Sequence, residues 1–397
     1  MLRIVIGWDN PAEVETIELL LNVDENVANV VTESSHFEDA AARGGWDVVV
    51  QALSFPTREE SLSIFKRVHS LNDDVPVIGV WHPDEIVDLA RFISYGLHSH
   101  LMRDAEGNFL FLLISMAAAA HSAAQAQRAK LLAERLRQEV DSVRRLQESV
   151  IPRDLPRPAG YNIAARYESS QINVLGTVPV AMAGGDYYDV FEVDDQTLIL
   201  LVGDASGHGV KACMSIMTMH TLIRTIRSQQ YSNTADFVTY VNGRLCSSEV
   251  VQDEGGFITL LYSTLDLTAH CLRWTSAGAP LPLLQDLNAN EVVQLEDEEK
   301  GGLPLAMYDD WIYDSCEVTL PENSRLLIYT DGLEEAHPDT GEDHEEFGVD
   351  GIISSLKSSA QLPLDDALEK LFSDSSAYTC GHGRMDDTSV LLVERTG

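Results

Sequence analysis

The first part of the chain, to about Ile114, alternates short apolar runs with amphipathic stretches. Apolar runs short enough for buried strands lie at Leu2–Ile6, Trp46–Leu53 and Val75–Trp81. Helical spacing of the apolar residues is found at Ala12–Leu21, Arg58–Leu71 and Glu85–Tyr95. Strand–helix alternation of this kind predicts an α/β domain with a doubly wound parallel sheet over residues 1–114.

The following stretch, residues 115–158, has a helical composition, with neither Gly nor Pro before Pro152. Its apolar residues follow three-and-four spacing, at Leu132, Leu136, Val140, Val143, Leu146 and Val150. A narrow apolar stripe on a charged helix is typical of a coiled coil, so we predict a helical linker that forms a homodimer through residues 115–151. A helix packed on its own domain is the alternative.

The remainder, residues 159–397, is dominated by strand-like runs with amphipathic helices between them. The runs are Thr197–Val202, Gly256–Asp266, Cys271–Thr275 and Arg325–Thr330, and the helices are Lys211–Ser228, Asn233–Cys246 and Leu364–Phe372. Long strands with separate helices predict an α+β fold, a layered β-sandwich flanked by helices.

Composition limits the possible functions. A length of 397 residues suits two domains and a connector. The net charge of −36 disfavours binding to nucleic acid or anionic lipid, although it also serves solubility. No continuous apolar run reaches the ~18 residues of a membrane span. The chain begins as a buried strand rather than a signal peptide, and its five scattered cysteines fit a reducing compartment. We therefore expect a cytoplasmic protein.

Four short carboxylate motifs carry the candidate chemistry: GGDYYD with Asp186 and Asp189, GDASGHG with Asp204, TDG with Asp331, and DDTS with Asp386 and Asp387. Each alone has an ordinary interpretation. An Asp-Gly pair after a strand is a common turn, and two adjacent aspartates can be a solvated pair. The loop Gly203–Gly209 could cradle a phosphate, but it lacks the lysine of a nucleotide-binding P-loop.

Taken together, the motifs predict a metal centre. Carboxylates at the ends of separate strands can converge on one point, where they repel each other unless a cation lies between them. Mg²⁺ and Mn²⁺ prefer oxygen ligands of this kind. The glycines beside Asp186, Asp204 and Asp331 allow close approach of backbone and substrate.

In this order, the motifs resemble the metal-dependent protein phosphatase (PPM) family, and more closely its bacterial branch with the sporulation phosphatase SpoIIE and the stress regulator RsbU. The resemblance runs from about Leu146 to the C-terminus and includes LQESVIP, TSAGAP, GLPL and YTDGLEEA. It implies hydrolysis of phosphoserine or phosphothreonine in a protein. The implied substrate is an anti-sigma-factor antagonist of the STAS fold, in a partner-switching pathway.

The same resemblance implies a site that holds two divalent metal ions, Mn²⁺ or Mg²⁺. Asp204 bridges both ions, the Ala205 carbonyl helps to hold the second, and Asp331 and Asp386 hold the first. Asp186 serves the second ion directly or through water, whereas Asp189 and Asp387 are supports. Two such ions would activate a water for in-line attack on phosphorus. The candidate acids for the leaving serine oxygen are His208 and His382, although a His in a Gly-rich loop is often structural.

The sequence departs from the branch at two positions. Ala279 stands where the branch has a His, and Ser389 replaces a Thr but keeps the hydroxyl. Neither is a proposed ligand. Two other functions stay open: a catalytically silent dimeric scaffold whose carboxylates bind metal structurally, and a nucleotide-hydrolysing protein, which the missing P-loop lysine disfavours.

The N-terminal part resembles a response-regulator receiver that has lost its phosphorylation site. Ala52 stands at the place of the acceptor aspartate, after the strand-like run from Asp47. Gly7 and Trp8 stand where a receiver has an acidic pair after its first strand, and Asp9 follows them. Trp81 and Arg103 stand at the usual Thr/Ser and Lys positions. Without a carboxylate nucleophile no aspartyl phosphate can form, so we predict a pseudo-receiver that binds protein.

Overall fold

The protein is described by a computed structural model that covers residues 2–21, 26–71, 74–104, 107–172, 180–181, 184–207, 209–226, 233–295, 302–338, 345–380 and 386–396. The chain divides into two compact units, Met1–Leu136 and Arg137–Gly397, and the division falls inside a helix. The boundaries that the sequence predicts, after residues 114 and 158, stay predictions.

The N-terminal unit contains one five-stranded parallel sheet of order β2-β1-β3-β4-β5. Its strands are β1 (Arg3–Gly7), β2 (Val27–Val31), β3 (Val48–Ala52), β4 (Val77–Trp81) and β5 (Ser99–Met102). Helices α1 (Val14–Leu21), α2 (Ser34–Arg43), α3 (Ser61–Leu71) and α4 (Ile86–Ser94) connect them. The predicted parallel α/β sheet is confirmed for this unit.

The two edge strands of this sheet, β2 and β5, and helix α2 were not predicted from the sequence. Each edge strand is partly exposed along its length, whereas the central strands β1, β3 and β4 are mostly buried. A half-exposed strand carries polar residues among the apolar ones, so it lacks the continuous apolar run by which buried strands are recognised.

Helix α5 spans Phe109–Val150 and begins earlier than the predicted residue 115. The reason is packing, because Phe109, Leu110 and Leu113 are buried in the core of the N-terminal unit. The helix also contains an 18-residue stretch long and apolar enough, by length and composition alone, to cross a membrane. One such helix is weak evidence, since core helices pass the same test. The expected absence of a membrane segment therefore stays a prediction.

The second unit contains two five-stranded sheets. One has the order β15-β12-β11-β10-β9 and the other β14-β13-β16-β17-β6, and all neighbouring strands are antiparallel. The strands of the first are β9 (Asp186–Asp194), β10 (Thr197–Ala205), β11 (Ile258–Asp266), β12 (Cys271–Ala277) and β15 (Cys316–Thr319). Those of the second are β6 (Tyr161–Glu168), β13 (Leu283–Asp286), β14 (Glu291–Gln294), β16 (Ser324–Tyr329) and β17 (Thr388–Arg395). A small pair, β7 (Gln171–Ile172) and β8 (Val180–Ala181), lies apart.

Three apolar layers hold this unit together. Residues of both sheets, among them Val202, Leu261 and Ile328, form a core between them. Helices α6 (Val210–Ile226), α7 (Thr234–Cys246) and α8 (Glu249–Gln252) cover the first sheet. Helices α9 (Gly348–Ser358) and α10 (Leu364–Tyr378) cover the second. The predicted layered β-sandwich flanked by helices is thus what the second unit forms.

Candidate metal centre

The pairing of β9 with β10 brings the first two predicted ligands together. Asp186 is the first residue of β9, and the antiparallel register places it opposite Asp204, near the end of β10. The sequence had placed Asp204 in the loop after its strand, but β10 continues through Ala205. Directly opposite residues have Cβ atoms about 4.5–5.5 Å apart, so the two carboxyl groups are neighbours.

Gly185 allows the backbone before Asp186 to approach β10 closely. Its carbonyl accepts a hydrogen bond from the Ala205 N–H at 2.9 Å. A Cβ atom at Gly185 would lie 2.6 Å from the Ala205 carbonyl oxygen and 2.8 Å from Asp204 Oδ1. The Ala205 carbonyl and one Asp204 oxygen therefore face the same small space beside residue 185, which no side chain can fill.

The other two predicted ligands come from the second sheet. Asp331 follows β16 and opens a short 3₁₀ helix, Asp331–Leu333, and Asp386 lies two residues before β17. Since β16 and β17 are antiparallel neighbours, the end of one lies beside the start of the other. Strand ends from two sheets thus supply the four aspartates.

Two polar side chains hold the Asp186 segment in place. Thr330 donates its hydroxyl to Asp186 Oδ2 at 2.6 Å and accepts the Ser389 N–H at 2.8 Å. Asp387, which is buried, accepts the Gly185 N–H at 2.5 Å and the Ser170 N–H at 2.7 Å. Sequence reasoning missed Thr330, although it stands beside Asp331 in the motif after the strand.

Asp189 takes part in a separate buried network. It accepts hydrogen bonds from Tyr187 at 2.6 Å and from Arg224 at 2.5 Å, and the Tyr187 hydroxyl also meets His220 Nδ1 at 2.6 Å. These contacts join β9 to α6, the helix that follows the Asp204 motif. Asp189 forms an ion pair with Arg224, so its contacts connect strand β9 with helix α6.

Burial and neighbouring charges shift the pKa values of three of the four aspartates, Asp186, Asp204 and Asp331. Burial raises the pKa of Asp204, and the charges of Asp186, Asp331 and Asp386 raise it further. Burial likewise raises the pKa of Asp186 well above its usual range, with the charge of Asp387 as the next cause. The pKa of Asp331 is raised by burial, against backbone N–H groups that lower it. These carboxyl groups therefore resist ionisation as a group.

The donors fit a hard divalent cation. Among the described residues, neither Asp186 Oδ1 nor Asp331 Oδ1 has a hydrogen-bond partner, although both atoms are buried. An unsatisfied buried carboxylate oxygen is costly, and an oxygen-only donor set suits Mg²⁺ or Mn²⁺. In the described part of the chain, no group of three or more His, Cys, Asp and Glu side chains is arranged to hold a metal ion. The individual ligand roles thus stay predictions.

The structure describes only some of the remaining residues that the sequence singles out. His208 and His382 lie outside the described residues, so their role as acids stays a prediction. Ala279 is buried, and its carbonyl accepts a hydrogen bond from the Ser276 hydroxyl at 2.8 Å. Ser389 is buried, with no hydrogen-bond partner for its hydroxyl among the described residues.

A small cavity of about 110 Å³ opens beside Asp386. Its lining comprises Gly332, Glu335, Ala336, His337, Glu346 and Asp386. Burial raises the pKa of Glu335, and the charges of Asp331 and Asp386 add to this. Sequence reasoning gave no role to Glu335 or His337, and their position just after the Asp331 motif is the signal that could have found them.

Comparisons with known proteins identify the family to which the chain belongs. The family model described as Stage II sporulation protein E (SpoIIE) matches residues 194–396, just over half of the chain. The phosphoserine phosphatase RsbP of Bacillus subtilis (strain 168) is 24% identical over 212 residues, which cover 53% of this chain and 49% of RsbP. Protein IcfG of Synechocystis sp. is 24% identical over 285 residues, 65% of this chain and 42% of IcfG. The chain thus spans about half the length of the curated relatives it matches.

Among solved structures, the SiaA-PP2C domain of Pseudomonas aeruginosa is similar, with a TM-score of 0.54 and 20% identity. The similarity covers 67% of this chain and 99% of that domain. At this identity the similarity shows the fold alone, which is the PP2C type.

Proposed function

Because the chain belongs to the Stage II sporulation protein E (SpoIIE) family of PPM-type phosphatases, we propose that it hydrolyses phosphoserine and phosphothreonine in a protein substrate. The observation that carries this proposal is the register that sets Asp186 opposite Asp204, with Asp331 and Asp386 close enough to raise the pKa of Asp204. A cation among such buried carboxylates would offset their mutual repulsion. RsbP, a relative, is a phosphoserine phosphatase.

In the proposed site, Asp204 and the Ala205 carbonyl, with Asp186, Asp331 and Asp386, would hold two divalent cations, Mn²⁺ or Mg²⁺. When bound, these ions would lower the pKa of a water and neutralise the phosphoryl oxygens. The protein's own contribution is orientation, since the Thr330 hydroxyl fixes one oxygen of Asp186 and leaves the other unsatisfied. His208 and His382 are the proposed proton donors to the leaving serine oxygen.

The test is hydrolysis of p-nitrophenyl phosphate and of a phosphoserine peptide, with Mn²⁺ or with EDTA. We expect activity that needs Mn²⁺ and is lost in Asp204→Ala. The matched control is Asp195→Ala, an exposed residue in the turn after β9, which should keep full activity. Activity in EDTA, or in Asp204→Ala, would contradict the proposal. A folded chain that binds Mn²⁺ without any hydrolysis would instead identify the silent scaffold.

The finer identity of the substrate rests on the resemblance to the SpoIIE and RsbU branch. On that ground we propose a phosphorylated STAS-domain anti-sigma-factor antagonist in a partner-switching pathway of the cytoplasm. Host STAS-domain proteins, each phosphorylated and then incubated with the full chain and Mn²⁺, provide the test on phosphate-affinity gels. Faster dephosphorylation of one of them than of phosphorylated casein is expected, and equal rates would argue against a STAS substrate.

For the N-terminal unit we propose a pseudo-receiver that binds protein. The strand order β2-β1-β3-β4-β5 supports a receiver-like topology, and Ala52 ends the central strand β3 with its side chain buried. Arg103 donates to Asp9 at 2.8 Å and also to Glu13, so both acids already have a cation. Acetyl phosphate should therefore leave this unit unlabelled, and a labelled aspartate would overturn the proposal.

We also propose a homodimer through helix α5, over the predicted residues 115–151. Support comes from the predicted stripe, of which Leu132, Leu136 and Leu146 are each more than half exposed. Leucines on one stripe of a long helix are costly to leave in water, and a second copy would bury them.

A further inference from the structure

Gln147 is a buried polar residue in a part of helix α5 that is otherwise largely exposed. Its side chain is fully buried, whereas the neighbouring Leu146 is 60% exposed. Glutamine is usually exposed in proteins, and a buried amide is tolerated only with hydrogen-bond partners. The apolar stripe that the sequence predicts does not include Gln147, so its burial has another cause.

The partners of Gln147 are the backbone atoms on either side of residue 185. Its Nε2 donates to the Asp186 carbonyl at 2.9 Å, and its Oε1 accepts the Gly184 N–H at 2.7 Å. Nε2 is also 3.4 Å from the hydroxyl of Tyr167, a half-buried residue. The amide thus pairs with the chain as a neighbouring strand would, using one donor and one acceptor.

The same short segment, residues 184–186, is also bonded to residues at the ends of β10 and β17. The Gly185 N–H donates to Asp387, and the Gly185 carbonyl accepts from Ala205. Gln147 therefore completes the hydrogen bonding of the short segment that leads into Asp186.

We infer that Gln147 is a positioning residue for the metal centre, which sets the Asp186 carboxylate through the backbone of residues 184–186. This inference rests on the proposed function, because Asp186 is a ligand only if the site holds a cation. Since α5 begins in the N-terminal unit, a displacement of the helix would change the Gln147 bonds and hence the Asp186 ligand. A change in the position of α5 would in this way change the metal affinity of the site.

The chemistry of the amide explains why glutamine stands here. Methionine has a similar length and volume, but it cannot donate to the Asp186 carbonyl and is only a weak acceptor for the Gly184 N–H. Glutamate keeps the acceptor for Gly184 and loses the donor to Asp186. The two variants therefore separate the loss of both bonds from the loss of one.

The test uses the full chain with Gln147→Met, and Gln138→Met as the matched control on an exposed face of the same helix. Mn²⁺ affinity is measured by electron paramagnetic resonance of the free ion, together with kcat and KM for p-nitrophenyl phosphate. Outer partners of metal ligands typically contribute about 10–100-fold to metal affinity. We expect Gln147→Met to weaken Mn²⁺ binding at least about tenfold and to change kcat, which should fall, more than it changes KM. The Gln138→Met control should be unchanged.

A second readout keeps this inference separate from the proposed function. Hydrogen exchange of the peptide that starts β9, measured without metal, should be faster in Gln147→Met and unchanged in Gln138→Met. If the native chain bound no Mn²⁺, the proposed function would be wrong and exchange alone would decide the role of Gln147. If Gln147→Met did not fold, Gln147→Glu would replace it. Native-like exchange and native-like Mn²⁺ affinity in the variant would overturn the inference.

Discussion

Asp186 and Asp204 lie directly opposite each other in the antiparallel pairing of β9 with β10, and both are buried. Like charges at opposite positions of a strand pair destabilise a sheet, and burial increases the cost. A fold that brings two aspartates together in this way gains stability from a cation bound between them. The pair therefore links the stability of the second unit to its metal content.

The first prediction concerns Asp186→Asn, which removes one of the two opposed charges but keeps an acceptor for Thr330. In EDTA we expect this variant to be more stable than the native chain, by about 1 kcal/mol or a few degrees in Tm. With Mn²⁺ the order should reverse, because the variant has lost a ligand. Thermal unfolding with and without Mn²⁺ checks this, with Asp195→Asn as control. Equal Mn²⁺ stabilisation of both chains would show that Asp186 does not bind the ion.

The second prediction concerns the hydroxyl of Thr330. Thr330→Val keeps the shape of the side chain but removes the bond to Asp186 and leaves the Ser389 N–H without its acceptor. We expect about tenfold lower kcat and Mn²⁺ affinity, as for other partners of metal ligands, and a loss of about 1–3 kcal/mol of unfolding free energy. Thr330→Ser retains the hydroxyl and should recover most of the activity. A Thr330→Ser variant as inactive as Thr330→Val would point to packing instead.

The third prediction concerns Gly185→Ala. The added Cβ would meet the Ala205 carbonyl at 2.6 Å, a backbone atom that cannot move without disturbing β10. We expect the loss of Mn²⁺-dependent activity and a destabilisation of about 1–3 kcal/mol from overpacking. Gly243→Ala in helix α7 is the control, since the added Cβ there approaches only the end of the Asp309 side chain, at 3.2 Å. Activity assays and urea unfolding measure both, and a fully active Gly185→Ala chain would refute the close approach.

The fourth prediction is a pH dependence of the N-terminal unit. Burial raises the pKa of Asp9 and of Glu13, but hydrogen bonds from Ser54 and Arg103 to Asp9, and from Arg103 and Trp8 to Glu13, lower both below their usual values. Stabilisation by these carboxylates is therefore complete above about pH 4–5 and is lost as the pH falls through the lowered values.

Urea unfolding of the N-terminal unit at pH 7 and pH 3 measures this effect. We expect acid to destabilise the native chain more than Arg103→Gln, in which the cation that lowers both pKa values is missing. Arg58→Gln, at an exposed ion pair with Asp88, should behave as the native chain does. The same loss of stability in acid for native and Arg103→Gln chains would exclude Arg103 as the cause.

The fifth prediction tests the proposed dimer. Leu132→Glu combined with Leu136→Glu places charges on the exposed stripe of α5, so we expect light scattering to change from a dimer mass to a monomer mass. Leu19→Glu, at a leucine of α1 that is 75% exposed, should remain dimeric. A native chain with a monomer mass would show that the dimer proposal is wrong.

Much of the fold follows from local patterns. The buried strands β1, β3, β4, β10 and β16 were predicted as continuous apolar runs, because a strand covered on both faces excludes polar residues. The edge strands β2 and β5 were not predicted, because each is partly exposed and lacks a continuous buried apolar run. Helix α5 was predicted, but its start was not. Phe109 and Leu113 are buried in the core of the N-terminal unit, and the local sequence pattern does not show which residues belong to that core.

The residue types of the candidate site were also readable before the fold was known. Asp186, Asp204, Asp331 and Asp386 stand out because each lies in a Gly-rich or acidic motif at the end of an apolar run, and such motifs have few chemical uses. Thr330 and Gln147 did not stand out, because a threonine in a strand and a glutamine in a helix are ordinary residues. Their importance depends on which backbone atoms they reach.

The sequence alone determined the two kinds of domain, the presence of a long helix over residues 115–151, and the acidic residues from which a cation site can be built. Those properties depend on the order of apolar and charged side chains along the chain, which is local information. Only the tertiary structure decided that Asp186 lies opposite Asp204 and that Arg103 forms an ion pair with Asp9. It also decided that Thr330 and Gln147 form hydrogen bonds with Asp186 and the backbone beside it. Each of these is a contact between distant segments, set by strand register and packing.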